Sequence, residues 1–237
     1  MRKLKSITAF FPAFNDGGTI SSMVISALIT LPKVTDDYEV IVVNDGSHDY
    51  TGDMLTELER IYPYVRILNH PANQGYGSAL WSGFKAAKKE WIFYTDGDAQ
   101  YDPRELISLV QAVREDTDVI NGYKISRKDP LHRVIIGRLY HHIVSILFNF
   151  SLKDVDCDFR LMKREIFEKI ELHSTSGTIC LEMVKKLQDA GYIFEEVPVH
   201  HYHRAYGKSQ FFNFSRLFKT AVQLIKLWHD LKFKKGY

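Results

Sequence analysis

The chain has 237 residues, 45% of them hydrophobic and 25% charged, enough to bury a sizeable core in one large domain, with or without an appendage. Its two cysteines, Cys157 and Cys180, are too few and too unpatterned for a disulfide framework or a zinc site, and a reducing, cytosolic setting fits them. Net charge is only +2 but uneven: from Arg204 to Tyr237 eight Lys/Arg face one acid, which is +7 and leaves −5 for the rest.

The opening MRKLKSITAFFPAFND is basic and then apolar, but the apolar run is short and passes into Pro12, Asn15 and Asp16 without a small-residue cleavage site, so it reads as a first core strand. No stretch approaches the roughly 18 to 20 uninterrupted apolar residues of a membrane-spanning helix. Short β-branched and aromatic runs then alternate with segments of helical period, the pattern of a mainly parallel sheet flanked by helices. Strands are expected at Ile7 to Ala13, Glu39 to Asn44, Val65 to Asn69, Trp91 to Thr95 and Val119 to Gly122. Helices are expected at Thr19 to Leu31, Thr51 to Tyr62, Tyr76 to Lys88 and Pro103 to Arg114. Beyond Gly122 the pattern loosens into a helix from about Leu131 to Phe148, a strand-like CDFRLMK, a helix from Ile179 to Ala190 and a strand from Ile193 to His200. The polar clusters FPAFND, NDGSHD and TDGDAQ each follow the end of an expected strand, and in an open α/β sheet that edge binds ligands.

Each cluster has a chemical reading beside a plain one. Asp45 in NDGSHDYT has an oxygen pair for a nucleobase N–H, while a β-turn and helix cap account for Ser47 and Asp49 without any ligand. NHPANQGYGSALWSGFKAAKKE reads as a strand end, a glycine loop and a helix with small residues along it, which suits either close packing on a sheet or close approach to a ligand. It matches neither the dinucleotide glycine fingerprint nor the phosphate loop. TDGDAQ sets Asp96 and Asp98 one residue apart, a spacing that serves a hard divalent cation but that, taken alone, is more often a solvated Asp-Gly turn. His200, His201 and His203 lack partners at metal-ligand spacing and read as strand-end residues. From Phe211 to Lys232 polar residues recur every three to four positions, so the tail is an amphipathic helix that either docks on the domain or lies in a membrane interface. Its broad apolar face argues against nucleic acid as a partner.

Taken together and in order, these segments resemble the glycosyltransferase family 2 enzymes of the GT-A fold. FPAFND looks like the family's P-A-[YF]-N-[ED], VVNDGSHDYT its V-[DN]-D-G-S-x-D-x-T, NQGYGSALWSGFKAA its glycine-helix segment and TDGDAQYDP its D-[AG]-D-x-Q-x-x-P. DVDCDFRLMKR and HRAYGKSQ are similar to the D-x-x-x-x-F-R and R-x-x-G-x-S segments of the branch containing dolichyl-phosphate mannose synthase and related polyprenyl-phosphate transferases. The resemblance implies a catalytic domain over residues 1–210 and a basic amphipathic helix over 211–237. It implies that Pro12, Phe14, Asp16, Asp45, Gln74 and Gly75 hold the donor nucleoside. Asp96, Asp98 and Gln100 would meet the diphosphate and a Mg²⁺ or Mn²⁺ ion, with Arg204 and Ser209 closing over the phosphates. The expected reaction is an inverting, metal-dependent sugar transfer from a UDP- or GDP-sugar to a polyprenyl phosphate at the cytoplasmic face of a membrane, with no nucleic acid involved. Apart from the resemblance, the basic residues Lys124, Arg127 and Arg133 suit either an anionic acceptor or simple solvation of a loop and a helix.

Three departures leave alternatives open. Asp replaces the usual Glu at position 16, Gly122-Tyr123-Lys124 stands for G-S-R, and Asp158 precedes Phe159-Arg160 where the lipid-phosphate branch has Gly or Ser. With Asp154 and Asp156, that acid supplies a base for a saccharide or other hydroxyl acceptor. A nucleotide-sugar-binding module without turnover is the remaining reading.

Overall fold

The computed structural model describes residues 2–125, 142–204, 206 and 214–233, with the side chains of the last helix from Val222 onward. Among these residues one seven-stranded sheet forms in the order β3-β2-β1-β4-β6-β5-β7. The strands are β1 (Ile7–Ala13), β2 (Tyr38–Asn44), β3 (Val65–Asn69), β4 (Trp91–Thr95), β5 (Val119–Ile125), β6 (Phe159–Lys163) and β7 (Phe194–His200). Neighbours run parallel except at β6, which is antiparallel to both β4 and β5.

Helices cover both faces, so the inner strands read as continuous apolar runs rather than alternating ones. Alternate residues along a strand point to opposite faces, and the two cores divide accordingly. Ala9, Phe11, Val40, Val42 and Phe93 pack with α1 (Ile20–Val34), α2 (Thr51–Ile61) and α4 (Leu106–Ala112). Phe10, Ile41, Val43, Ile92 and Tyr94 pack with α3 (Tyr76–Ala86), α6 (Ile166–Lys169) and α7 (Ile179–Asp189). On α3 the small residue Gly83 lies against the Phe10 ring, where a Cβ would come within 2.5 Å of it.

A third, smaller core joins α5, of which residues 142–148 are described, to α7 and to α8 (Phe214–Phe233). Leu227 fits among Val144, Phe148, Leu181 and Val184, with Leu224, Trp228 and Leu231 packed at its border. The Trp228 indole N–H donates to the Leu147 carbonyl at 3.1 Å. On the outer side of the same two helices Ile143, Ile146, Leu147, Val222, Ile225 and Phe233 are exposed. Among the described residues no helix is long and apolar enough to cross a membrane.

Several boundaries differ from expectation. α1 continues past Pro32 to Val34, because the Thr35 N–H still reaches the Leu31 carbonyl and closes the last turn. The helix expected over Pro103 to Arg114 opens as a 3₁₀ turn, Pro103–Glu105, whose cap is the Asp102 carboxylate accepting the Arg104 N–H, and ends at Ala112. β5 runs on to Ile125 because β7 pairs with it as far as His200. The single-turn α6 has no counterpart among the expected helices, being too short to show a period. The first part of the helix expected from about Leu131 lies outside the described residues.

Candidate active site

The register sets where the site lies. Ala13, Asn44 and Asn69 are partners at the carboxyl ends of β1, β2 and β3, so the loops that follow them share one edge. Pro12 is tolerated there because β1 pairs with β4 only as far as Phe10, and the Pro12 carbonyl accepts the Gly97 N–H at 3.3 Å. β6 runs the other way, so its first residue, Phe159, faces the last residue of β4, Thr95. That reversal carries residues 154–158 to the edge occupied by Asp96 and Asp98.

At the β1–β2 side of this edge the loops after the two strands are tied together. The Asn15 side-chain oxygen accepts the His48 N–H at 2.8 Å, and the Asn15 N–H donates to Ser47 Oγ at 3.1 Å. Phe14 meets the His48 ring edge-on, with centroids 6.2 Å apart. Asp45 is buried and organises the glycine loop. Its Oδ1 accepts the Gln74 N–H at 2.9 Å and His70 Nδ1 at 2.7 Å, while Oδ2 accepts the Gly75 N–H at 3.0 Å. Gly75 adopts φ +98°, and a Cβ there would come within 2.4 Å of the Thr175 carbonyl oxygen. The Gly77 N–H donates to that same carbonyl at 2.9 Å, which fastens the start of α3 to the segment before α7.

The acidic centre is built from three elements. Asp96 accepts the Tyr76 hydroxyl at 2.7 Å from the first residue of α3. Asp98 accepts the Gln100 N–H at 3.0 Å and pairs with the Arg204 guanidinium. The turn between them is strained, since Ala99 has φ 60°, a left-handed conformation costing roughly 1 kcal/mol or more for a residue with a Cβ. Gln100 links the turn to the chain after β7, donating from Nε2 to the Tyr202 carbonyl at 3.2 Å while its own carbonyl accepts the Tyr202 N–H at 2.8 Å.

Asp158 is the third carboxylate. The Cys180 thiol, the Tyr94 hydroxyl and Arg160 Nη1 donate to its Oδ1 at 3.0, 3.3 and 3.4 Å. Arg160 is fully buried, its Nε donating to Asn121 at 2.6 Å and its Nη2 to the Val155 carbonyl at 2.5 Å. Burial raises the Asp96 pKa well above the usual carboxylate range, and the charges of Asp158 and Asp98 raise it further. Burial also raises that of Asp98, against the opposing pull of Arg204. Asp16, whose Oδ2 accepts the Phe14 N–H at 3.1 Å, is pushed up to about 6 by burial and by Asp98.

Asp154 and Asp156 lie in the same loop but hold it together. The Asp154 carboxylate accepts the N–H groups of Lys124 and Asp156 at 3.2 and 3.3 Å. Lys124 Nζ lies 2.7 Å from the Asp156 carbonyl oxygen and 3.7 Å from the Asp154 carboxylate. Burial pushes the Asp156 carboxyl up to about 6, with Lys124 opposing. Arg127, Arg133 and Ser209 lie outside the described residues. Sequence reasoning does not place Tyr76, His70 or Cys180 in the site; Tyr76 is the most accessible of them, as the residue directly after the Gln74-Gly75 pair.

The model for Glycosyl transferase family 2 matches residues 8–171, which contain this edge except Thr175, Cys180, Tyr202 and Arg204. The chain belongs to glycosyl transferase family 2. The transferase is similar to an undecaprenyl-phosphate 4-deoxy-4-formamido-L-arabinose transferase of Yersinia enterocolitica serotype O:8, 27% identical over 231 residues, 97% of this chain and 67% of that one. The Yersinia pestis (strain Pestoides F) protein of the same name is 27% identical over 230 residues, 96% and 67% of the two chains. Among solved structures, glucosyl-3-phosphoglycerate synthase from Mycobacterium tuberculosis with Mn²⁺, UDP and glucosyl-3-phosphoglycerate superposes with a TM-score of 0.75 at 16% identity, over 96% of this chain and 80% of that one. Its complex with Mg²⁺ and UDP gives 0.72 at 17% identity, over 96% and 79%. At such identity the likeness is one of fold, here the GT-A fold.

The residues present suit a divalent cation. Asp96 and Asp98 supply hard oxygen donors at a buried edge, and burial, with neighbouring carboxylates, raises their pKa values. Among the described residues no group of three or more His, Cys, Asp and Glu side chains is arranged to enclose a metal ion. A cation held here by two carboxylates would keep coordination positions open for phosphate oxygens.

Proposed function

We propose that the transferase moves a sugar from a UDP- or GDP-sugar onto a polyprenyl phosphate, inverting the anomeric centre, at the cytoplasmic face of a membrane. The observation that carries the reading is the meeting of Asp96, Asp98 and Arg204 at one sheet edge beside the Asp45-organised glycine loop. In it the nucleoside lies against Pro12, Phe14, Asp16 and the Gln74-Gly75 loop. Asp96 and Asp98, with Gln100 beside them, would hold Mg²⁺ or Mn²⁺, which when bound would supply positive charge to neutralise the leaving diphosphate. Arg204, which pairs with Asp98 at this edge, would offset the charge that grows as the diphosphate departs. An oxygen of the acceptor phosphate attacks the anomeric carbon, and the bond to the nucleoside diphosphate breaks with its electron pair. That oxygen is already ionised, so no proton need be removed, which leaves Asp154 and Asp156 free for their loop contacts.

The acceptor half draws on the relatives' named substrate and on the outer side of α5 and α8, where Ile143, Ile146, Val222 and Ile225 are exposed. Residues 1–210 then form the catalytic unit and 211–237 its membrane-facing appendage. The free, buried thiols of Cys157 and Cys180 suit a reducing compartment. The test pairs Asp98→Ala with the natural enzyme in a nucleotide-sugar turnover assay containing Mn²⁺ and vesicles with undecaprenyl phosphate. Loss of at least about 100-fold in turnover, with the fold intact by circular dichroism, is expected. An Asp98→Ala enzyme with full metal-dependent activity would overturn the proposal, and transfer to water-soluble saccharides alone would overturn its acceptor.

A further inference from the structure

We infer that His70, a residue outside the motifs that carry the family resemblance, is a positioning residue for the nucleotide site, holding the Asp45 carboxylate against the amides of the glycine loop. The inference rests on the proposed nucleotide site and names a part of its machinery. His70 follows the last residue of β3, and its backbone N–H donates to the Asn44 carbonyl at 2.9 Å, so the ring starts from a fixed point on the sheet. The ring is nearly buried, 11% exposed, beside the Asp45 side chain at 4%. A carboxylate only accepts, so Nδ1–H donates to Asp45 Oδ1 at 2.7 Å, and in the neutral ring Nε2 accepts the Ser82 hydroxyl at 2.9 Å from the middle of α3.

The contacts resemble a Ser-His-Asp hydrolytic triad, but the third member has other work. An ionised carboxylate offers about four acceptor positions. At Asp45 three are filled, by His70, the Gln74 N–H and the Gly75 N–H. With the ring in place the carboxylate plane cannot turn without breaking a hydrogen bond to a charged group. Its orientation then fixes Gly75, the cap of α3, and through it Tyr76, whose hydroxyl holds Asp96. His70 therefore links the floor of the nucleotide pocket to the acidic centre without needing to touch a ligand.

The test is isothermal titration of UDP and of GDP, each with Mn²⁺, into the full chain and into His70→Ala, His70→Asn and Ser82→Ala, with hydrogen exchange followed over residues 71–77. His70→Ala should weaken binding of the preferred nucleotide about tenfold and deprotect 71–77. His70→Asn, whose amide also donates to Asp45, should recover binding to within about threefold, and Ser82→Ala should lose about two- to threefold. An unchanged Kd in His70→Ala overturns the inference, as does a His70→Asn protein that binds no better than His70→Ala. Should His70→Ala not fold, Ser82→Ala decides in its place, and natural affinity in that variant overturns the inference. A natural protein that binds neither nucleotide overturns the nucleotide site itself, and this inference with it.

Discussion

Asp16 shows how the site trades stability for charge at a single residue. Burial and the neighbouring Asp98 push its carboxyl up to about 6, while the Phe14 N–H and Arg204 pull the other way. A carboxyl whose folded pKa lies above its unfolded value holds its proton better in the native state. Its contribution is therefore complete below about pH 4 and is lost as the pH rises through 6. Asp16→Asn keeps an oxygen for the Phe14 N–H and removes the ionisation. It should stabilise the ligand-free protein by up to about 3 kcal/mol at pH 8, with the gain gone at pH 4. Denaturant midpoints at pH 4, 6 and 8 check this, and an equal gain at all three would show that charge is not the cause. Two other residues show what a residue-by-residue reading of the sequence does not reach. Asp45 is legible as a strand-end acid, but its engagement by loop amides depends on Gln74 and Gly75 folding back 29 and 30 residues later. Lys124 is legible as a cation, but it points to Asp154 and Asp156 because β5 lies beside the strand they precede.

At the scale of elements, β1 to β4 and the helices between them are legible because their periodicity is local and their loops are short. β6 is legible as a strand but not as a reversed one. Direction is a property of the sheet, and it alone brings Asp158 to the acidic centre from the opposite end of its strand. The amphipathic pattern of the last helix suits docking on the domain and lying in a membrane interface equally, and the packing allows both at once. Leu227 is buried against α5 and α7, whereas Ile225, two residues earlier on the opposite side, is 67% exposed. Two substitutions separate these sides. Leu227→Glu buries a charge in an apolar cluster and should lower stability by several kcal/mol. Ile225→Glu should leave the melting temperature within about 1 °C, since it changes only an exposed position, and should weaken flotation on anionic vesicles several-fold. Natural flotation by Ile225→Glu would remove this face as the membrane contact.

Across the whole molecule, one edge of the sheet gathers Asp16, Asp96, Asp98 and Asp158, and the fold brings them together from β1, β4 and β6, which lie side by side. The raised pKa values of Asp16, Asp96 and Asp98 make the ligand-free protein less stable when these three are ionised than when protonated, so its stability should fall between pH 5 and 8 rather than peak there. A divalent cation binds the ionised form only and must displace protons below those pKa values. Mn²⁺ should therefore raise the melting temperature more at pH 8 than at pH 5, with UDP or GDP adding to the effect and EDTA reversing it. The size of the gain follows the ratio of free cation to its Kd, about 2.7 kcal/mol at one hundred times Kd. A melting temperature insensitive to Mn²⁺ at pH 8, in a protein that still binds nucleotide, would mean that Arg204 alone balances the acidic edge. A response equal at pH 5 and pH 8 would count against an ion held by Asp96 and Asp98, since burial raises their pKa values and protons then compete with the ion.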